Sequence, residues 1–113
     1  MSEARPCIAK ALSTLGLCHK AGKTVIGTPM ICEAMRKGGR NRPVTVFEAS
    51  DTSDNTHKKL SDKCSFYNVR HIRLECDGMT LAAALGKGSS VAAVAVTDEK
   101  LSEAVEKNTD PTT

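Results

Sequence analysis

The chain has 113 residues, 40% of them apolar and 26% charged, with a formal net charge of +3. That length suits one domain with a modest core, and the composition is that of a soluble globular protein with no low-complexity tract. No apolar run approaches the roughly 20 residues that span a bilayer, and the stretch from Met1 to Pro6 lacks the apolar centre of a signal peptide, so the expected compartment is cytoplasmic.

Ile8, Ala11, Leu12 and Leu15 recur at helical spacing and predict a first helix, with Pro6 tolerated in its first turn and Gly22 near its end. Thr24, Val25 and Ile26 read as a short strand. A second helix follows, with Gly27 turning the chain, Thr28 as N-cap and Pro29 at the first helical position. Ile31, Ala34 and Met35 form its apolar stripe, and Gly38 and Gly39 its stop. A loop over 40–43 leads to a buried strand over 44–47. Ser53 or Asp54 caps a third helix with Leu60 and Cys64 inward, and Asn68 turns the chain into a half-exposed or edge strand carrying Ile72, Leu74 and Cys76. Asp77 and Gly78 open a fourth helix with Leu81, Ala84 and Leu85, closed by Gly86. The unbroken apolar run over 91–96 predicts a central strand covered on both faces. Asp98 caps a last helix with Leu101 and Val105. Alternating helices and strands predict an α/β fold, an α/β/α sandwich, with one domain over 1–108 and a frayed tail over 109–113.

Charge is unevenly spread. Residues 1–45 hold eight Lys/Arg against two Asp/Glu, a net +6, and residues 46–113 hold eight against eleven, a net −3. Such asymmetry points to a cationic face that suits a polyanion. The amides and dipole of the second helix point at whatever faces Gly27 and Thr28, which favours phosphate. Lys20 and Lys23 precede that turn, and Arg36, Lys37, Arg40 and Arg42 follow the helix.

Catalysis has little support. Cys18 and His19 are neighbours that diverge by about 100° on a helix, although thiol chemistry at Cys18 is a conceivable third role. His57 and His71 stand isolated in the sequence, and no metal-ligand spacing occurs. Five cysteines (Cys7, Cys18, Cys32, Cys64 and Cys76) form an odd, scattered set without a CxxC pair, read as buried thiols and not as a zinc site or disulfide framework. The Gly86-Lys87-Gly88-Ser89-Ser90 loop follows a helix and precedes a strand, the reverse of a P-loop. Neither a cofactor nor a small-molecule substrate is expected. With Phe47, Phe66 and Tyr67 as the whole aromatic set, the chain can hardly build a single-strand stacking platform, and structured RNA fits better.

The segment from Leu15 to Lys23, then Gly27 and Arg36-Lys37-Gly38, resembles the bacterial YlxQ-type proteins. So do Asn55-Thr56, Lys58-Lys59-Leu60, Asp62-Lys63-Cys64, Tyr67-Asn68-Val69 and Gly86-Lys87. Those proteins belong with the kink-turn-binding ribosomal proteins, large-subunit proteins 7Ae and 30e with their 12e and Gadd45 relatives. The resemblance, over about residues 11–106, implies a three-layer α/β/α sandwich with a mixed four-stranded sheet. It also implies an RNA site at the start of the second helix, aided by the loop before the last central strand. The family's RNA motif reads approximately Gly-Thr-Asn-Glu-x-Thr-Lys. Gly27 and Thr28 match it, whereas Pro29, Met30, Cys32 and Glu33 replace Asn, Glu, Thr and Lys. The side chains that read the paired purines of a kink-turn are therefore missing, leaving backbone and charge.

The expected function is non-enzymatic, ribosome-associated binding of structured RNA. Its contact residues would be Lys20, Lys23, Gly27, Thr28, Pro29, Met30, Lys37, Arg40, Lys87, Gly88, Ser89 and Ser90. Ribosomal or translation-associated proteins are possible further partners. The alternative is a protein-interaction module of the same fold that uses Met30, Ile31 and the acidic helix after Asp98.

Overall fold

The computed structural model describes residues 5–109. Its elements run α1 (Arg5–Lys20), β1 (Thr24–Ile26), α2 (Thr28–Lys37), a short 3-10 turn (Gly39–Asn41), β2 (Thr45–Glu48), α3 (Asp54–Tyr67), β3 (Arg70–Arg73), α4 (Gly78–Ala84), β4 (Ala93–Val96) and α5 (Glu99–Lys107). The four strands form one sheet in the order β1-β4-β2-β3. β4 is antiparallel to both of its neighbours, and β2 is parallel to β3, with α3 as the crossover.

Two apolar layers flank the sheet. Leu15 of α1, Leu81 of α4 and Val105 of α5 pack with Phe47, Val94 and Val96 on one face. Ile31 and Met35 of α2 and Leu60 and Cys64 of α3 pack with Val46, Ala93 and Ala95 on the other. Alternation along β2 and β4 sends successive side chains to opposite layers. Every residue of β4 is therefore buried, as its unbroken apolar run predicts.

Ser53, one of two candidates, and Asp98 cap their helices as predicted, and Asp77, predicted to open α4, caps it as well. Ser53 accepts from the Thr56 amide, Asp77 from Thr80 and Asp98 from Leu101, each relieving an orphan donor of a first turn. Asn68 adopts φ 61°, the left-handed conformation that ends α3 and redirects the chain into edge strand β3. β3 stops at Arg73, so Leu74 and Cys76 lie beyond the strand in which they were expected. In α4 it is Ala82, not Ala84, that is fully buried. The predicted tail lies outside the described residues from position 110 onward.

The start of α2 differs from expectation. Gly27, at φ 96°, is the N-cap, and its carbonyl accepts the first helical bond from the Ile31 amide at 2.9 Å. Thr28 is therefore already helical and its hydroxyl makes no cap bond, while Pro29 moves to the second helical position. Only glycine holds that φ without strain, which is why the turn falls there.

β1, β2 and β3 all run the same way and β4 runs against them, so the strand termini fall at two end-edges of the sheet, distinct from its edge strands β1 and β3. The end of β1, the end of β2 and the start of β4 lie together at one edge, tied by the Gly27 amide to the Ala93 carbonyl at 3.1 Å. Lys23, Val44 and Thr97 lie together at the other, where the Thr97 amide donates to the Lys23 carbonyl and the Val44 amide to the Val96 carbonyl.

Candidate nucleic-acid interface

The first of these edges carries the entrance to α2. Four amides of a helix's first turn ordinarily lack partners. Here the Gly27 amide is spent on the Ala93 carbonyl and Pro29 has none, which leaves the Thr28 and Met30 amides for an outside acceptor. Pro29 and Met30 project into solvent, Met30 with 61% of its surface exposed. The loop of Lys87, Gly88, Ser89 and Ser90 is exposed throughout and reaches the same edge, where the Val91 amide donates to the Gly78 carbonyl. Gly78 has no room for a side chain: a Cβ there would come within 2.2 Å of the Ser90 hydroxyl and 3.1 Å of the Val91 carbonyl. That close approach seats the loop against the start of α4.

The cations expected to ring this entrance do not. Lys23 opens β1 at the opposite edge, and Lys37 and Arg40 sit at and beyond the far end of α2. Ten residues at about 1.5 Å each separate the two ends of that helix by about 15 Å. Lys20, at the end of α1, lines a groove with Gly16, Leu17 and Gly86 and so lies on the α1–α4 side. Among the expected contacts, only Lys87 brings a positive charge into the loop beside the entrance.

The far edge gathers cations that sequence order kept apart. Arg40, Arg42 and Arg70 line one shallow hollow with Asn68 and Pro43. Arg42 donates to the Tyr67 carbonyl at 3.1 Å. Arg70 is committed to Glu99 at 3.2 Å and Glu106 at 3.1 Å, with its Nε turned to the Thr45 hydroxyl. Ser102 completes that network, its Oγ lying 2.7 Å from both the Thr45 hydroxyl and the Glu106 carboxylate, to one of which it donates its single proton. Nothing in the local sequence signals Arg70, because β3 brings it to the hollow from 30 residues beyond Arg40. Glu33 faces its own helix: Arg36 forms a 2.6 Å pair with it and Lys37 a 3.8 Å contact. The Arg36 bond holds the Glu33 carboxyl below the usual range.

Other expected features resolve plainly. Ile31 is fully buried under the sheet and cannot contribute to a partner surface. Cys18 is also fully buried, its thiol pushed up by that burial, and the Nδ1 of His19 turns to the Thr24 hydroxyl at 2.9 Å. Thiol chemistry at Cys18 therefore has neither an accessible nucleophile nor a base. Cys64 is buried as expected, whereas Cys32 and Cys76 are only partly covered. Burial first, then Asp77 and Asp51, push the Cys76 thiol up to about 11. Iodoacetamide should therefore label Cys76 slowly at neutral pH, the rate rising roughly tenfold per pH unit toward that value. Peptide mass spectrometry measures this, and rapid neutral labelling would contradict the assigned environment. No helix among the described residues is long and apolar enough to cross a membrane.

A mixed four-stranded sheet between two helical layers makes this a three-layer α/β protein. The chain belongs to the ribosomal protein L7Ae/L30e/S12e/Gadd45 family, matched over residues 9–106. Within it, the RNA-binding protein YlxQ of Bacillus subtilis (strain 168) is 36% identical over 85 residues, covering 75% of this chain and 80% of that one. The protein of the same name from Enterococcus faecium is 38% identical over 60 residues, 53% of this chain and 55% of its own length. A solved structure from Bacillus halodurans superposes with a TM-score of 0.80 at 29% identity, covering 90% of this chain and 98% of that one. The 15.5kD RNA binding protein of Giardia lamblia superposes at 0.72 over 92% of this chain and 85% of its own, with 13% identity, and so shares the fold.

Proposed function

We propose that this protein binds structured RNA without catalysis, laying the polyanion along α2 from its glycine entrance to the arginine hollow beyond its far end. One observation carries this reading. In a chain whose relatives are named as RNA-binding proteins, a single helix joins open amides at one end to exposed cations at the other, Lys37 and an Arg40 that is unpaired among the described residues.

At the entrance, the Thr28 and Met30 amides would donate to phosphate, aided by the helix dipole. Lys87 and the hydroxyls of Ser89 and Ser90 would meet the strand opposite. At the far end Lys37 and Arg40 would neutralise phosphates about 15 Å further along, with Lys23 beside them. Lys20 would meet the RNA from the α1–α4 side. Side chains matching the family's purine-reading Asn and Glu are absent, since Pro29 and Met30 occupy those positions. Recognition would therefore follow shape, phosphates and 2′-hydroxyls more than base identity.

The test is filter binding of purified protein to ribosomal RNA across a salt series. About four neutralised phosphates predict a slope of log K against log salt near −3. A flat salt dependence would remove the cationic edge from the interface.

A further inference from the structure

Two histidines far apart in the sequence meet at one buried carboxylate. Glu48 ends β2, is fully buried and faces the α2–α3 layer. His57 of α3 places its Nδ1 2.9 Å from Glu48 Oε1 and 3.0 Å from Oε2. His71 of β3 places its Nε2 2.6 Å from the same Oε1. The Thr52 hydroxyl donates to Oε2, and Arg73 in turn reaches Thr52 at 3.4 Å. The three potential ligand atoms lie within 4.8 Å of one another.

We propose that Glu48, His57 and His71 form a binding site for a divalent first-row transition metal of the zinc type. Two imidazole nitrogens and one carboxylate oxygen are the donor set such ions prefer, and three protein ligands leave a fourth position for water. Tetrahedral bonds of about 2.0–2.1 Å put ligand atoms about 3.3 Å apart. The His57 nitrogen therefore needs to retreat from the carboxylate by about 0.4 Å and the His71 nitrogen by about 0.7 Å. Access is open on one side, because 41% of the His57 side chain faces solvent while His71 and Glu48 are largely enclosed. Thr52 supplies the outer bond that fixes the carboxylate, as metal sites require.

The proton balance is simple. In the free protein, Nδ1 of His57 and Nε2 of His71 each face Glu48 at hydrogen-bond distance. On metal binding any proton on the facing nitrogen leaves to water and the far nitrogen carries the ring's N–H, so the facing nitrogen donates its lone pair. Glu48 is fully buried with Thr52, His57 and His71 all within hydrogen-bond distance of its carboxylate. Without a cation, that buried charge is compensated by hydrogen bonds, which costs stability that a bound ion would restore.

Cobalt titration of the untagged, full-length protein, followed by visible spectroscopy and zinc competition, tests the site. The expected result is one Co2+ per chain with ligand-field bands of a tetrahedral centre and no thiolate charge-transfer band. Binding should be lost in His57→Ala, a half-exposed position that the fold tolerates, and in Glu48→Gln. It should weaken roughly tenfold in Thr52→Ala and stay unchanged in Cys32→Ser. If Glu48→Gln fails to fold, His57→Ala and Thr52→Ala decide the matter. Absence of bound cobalt, binding indifferent to His57→Ala, or a sulfur charge-transfer band that disappears in Cys32→Ser would each overturn the assignment.

Discussion

Replacing Lys23, Lys37 and Arg40 together by glutamate should abolish RNA binding and leave the fold intact. All three are exposed, and Lys23 and Arg40 are free of ion pairs among the described residues. None enters either core layer. Each reversal removes a phosphate contact and adds a repulsion, and loss of about three contacts flattens the salt slope as well as lowering affinity. Circular dichroism should be unchanged. A matched control is Lys100→Glu on α5, outside the proposed path, which should alter affinity only through the small change in overall charge. Unchanged RNA affinity in the triple variant would remove the far edge from the interface and leave the entrance alone to account for binding.

Phe47→Ala should destabilise the protein by about 3–5 kcal/mol, measured by urea denaturation. Phe47 is fully buried on β2 and packs among side chains from α1, α4 and α5. Its removal leaves a cavity that three helices cannot close without leaving the sheet. Against a total stability of about 5–15 kcal/mol for a typical domain, that is a large fraction. Phe66 provides the contrast. It is 78% exposed and touches Tyr67 edge-on with ring centroids 4.9 Å apart, so Phe66→Ala should fall within about 0.5 kcal/mol of the parent. Equal costs at the two positions would mean that the core is not organised as described.

Much of the fold is legible because local signals agree with tertiary demands. Ser53, Asp77 and Asp98 each precede an amphipathic stretch, and each caps it. The 91–96 run is apolar on every position because helices cover both faces of β4. The N-cap of α2 lies one residue before the cap that the sequence predicts. Thr28 and Gly27 both suit a cap, and only the bond between the Ile31 amide and the Gly27 carbonyl decides between them.

The candidate site was legible in its parts but not in its layout. Lys23 is four residues from Gly27 in the chain, yet β1 lies between them and carries the backbone about 10 Å across the sheet. Lys37 and Arg40 follow the α2 entrance closely in sequence and lie a whole helix away from it in space. Proximity along the chain is therefore a poor guide where a strand or a helix intervenes. The same reason hides Arg70 in the hollow, and it hides the meeting of Glu48, His57 and His71. Those residues stand 9 and 23 positions apart from the carboxylate, and only the crossover from β2 through α3 to β3 joins them. His57 and His71 are isolated in sequence and not in the fold.

Ultraviolet crosslinking of the protein to RNA in cells, with mass spectrometry of the RNA-linked peptides, tests the central claim most directly. Crosslinks should fall on peptides spanning the α2 entrance, the loop of Lys87 to Ser90 and the chain from Lys37 to Arg42. Crosslinks concentrated on α5 or the outer face of α1, with those peptides bare, would contradict it.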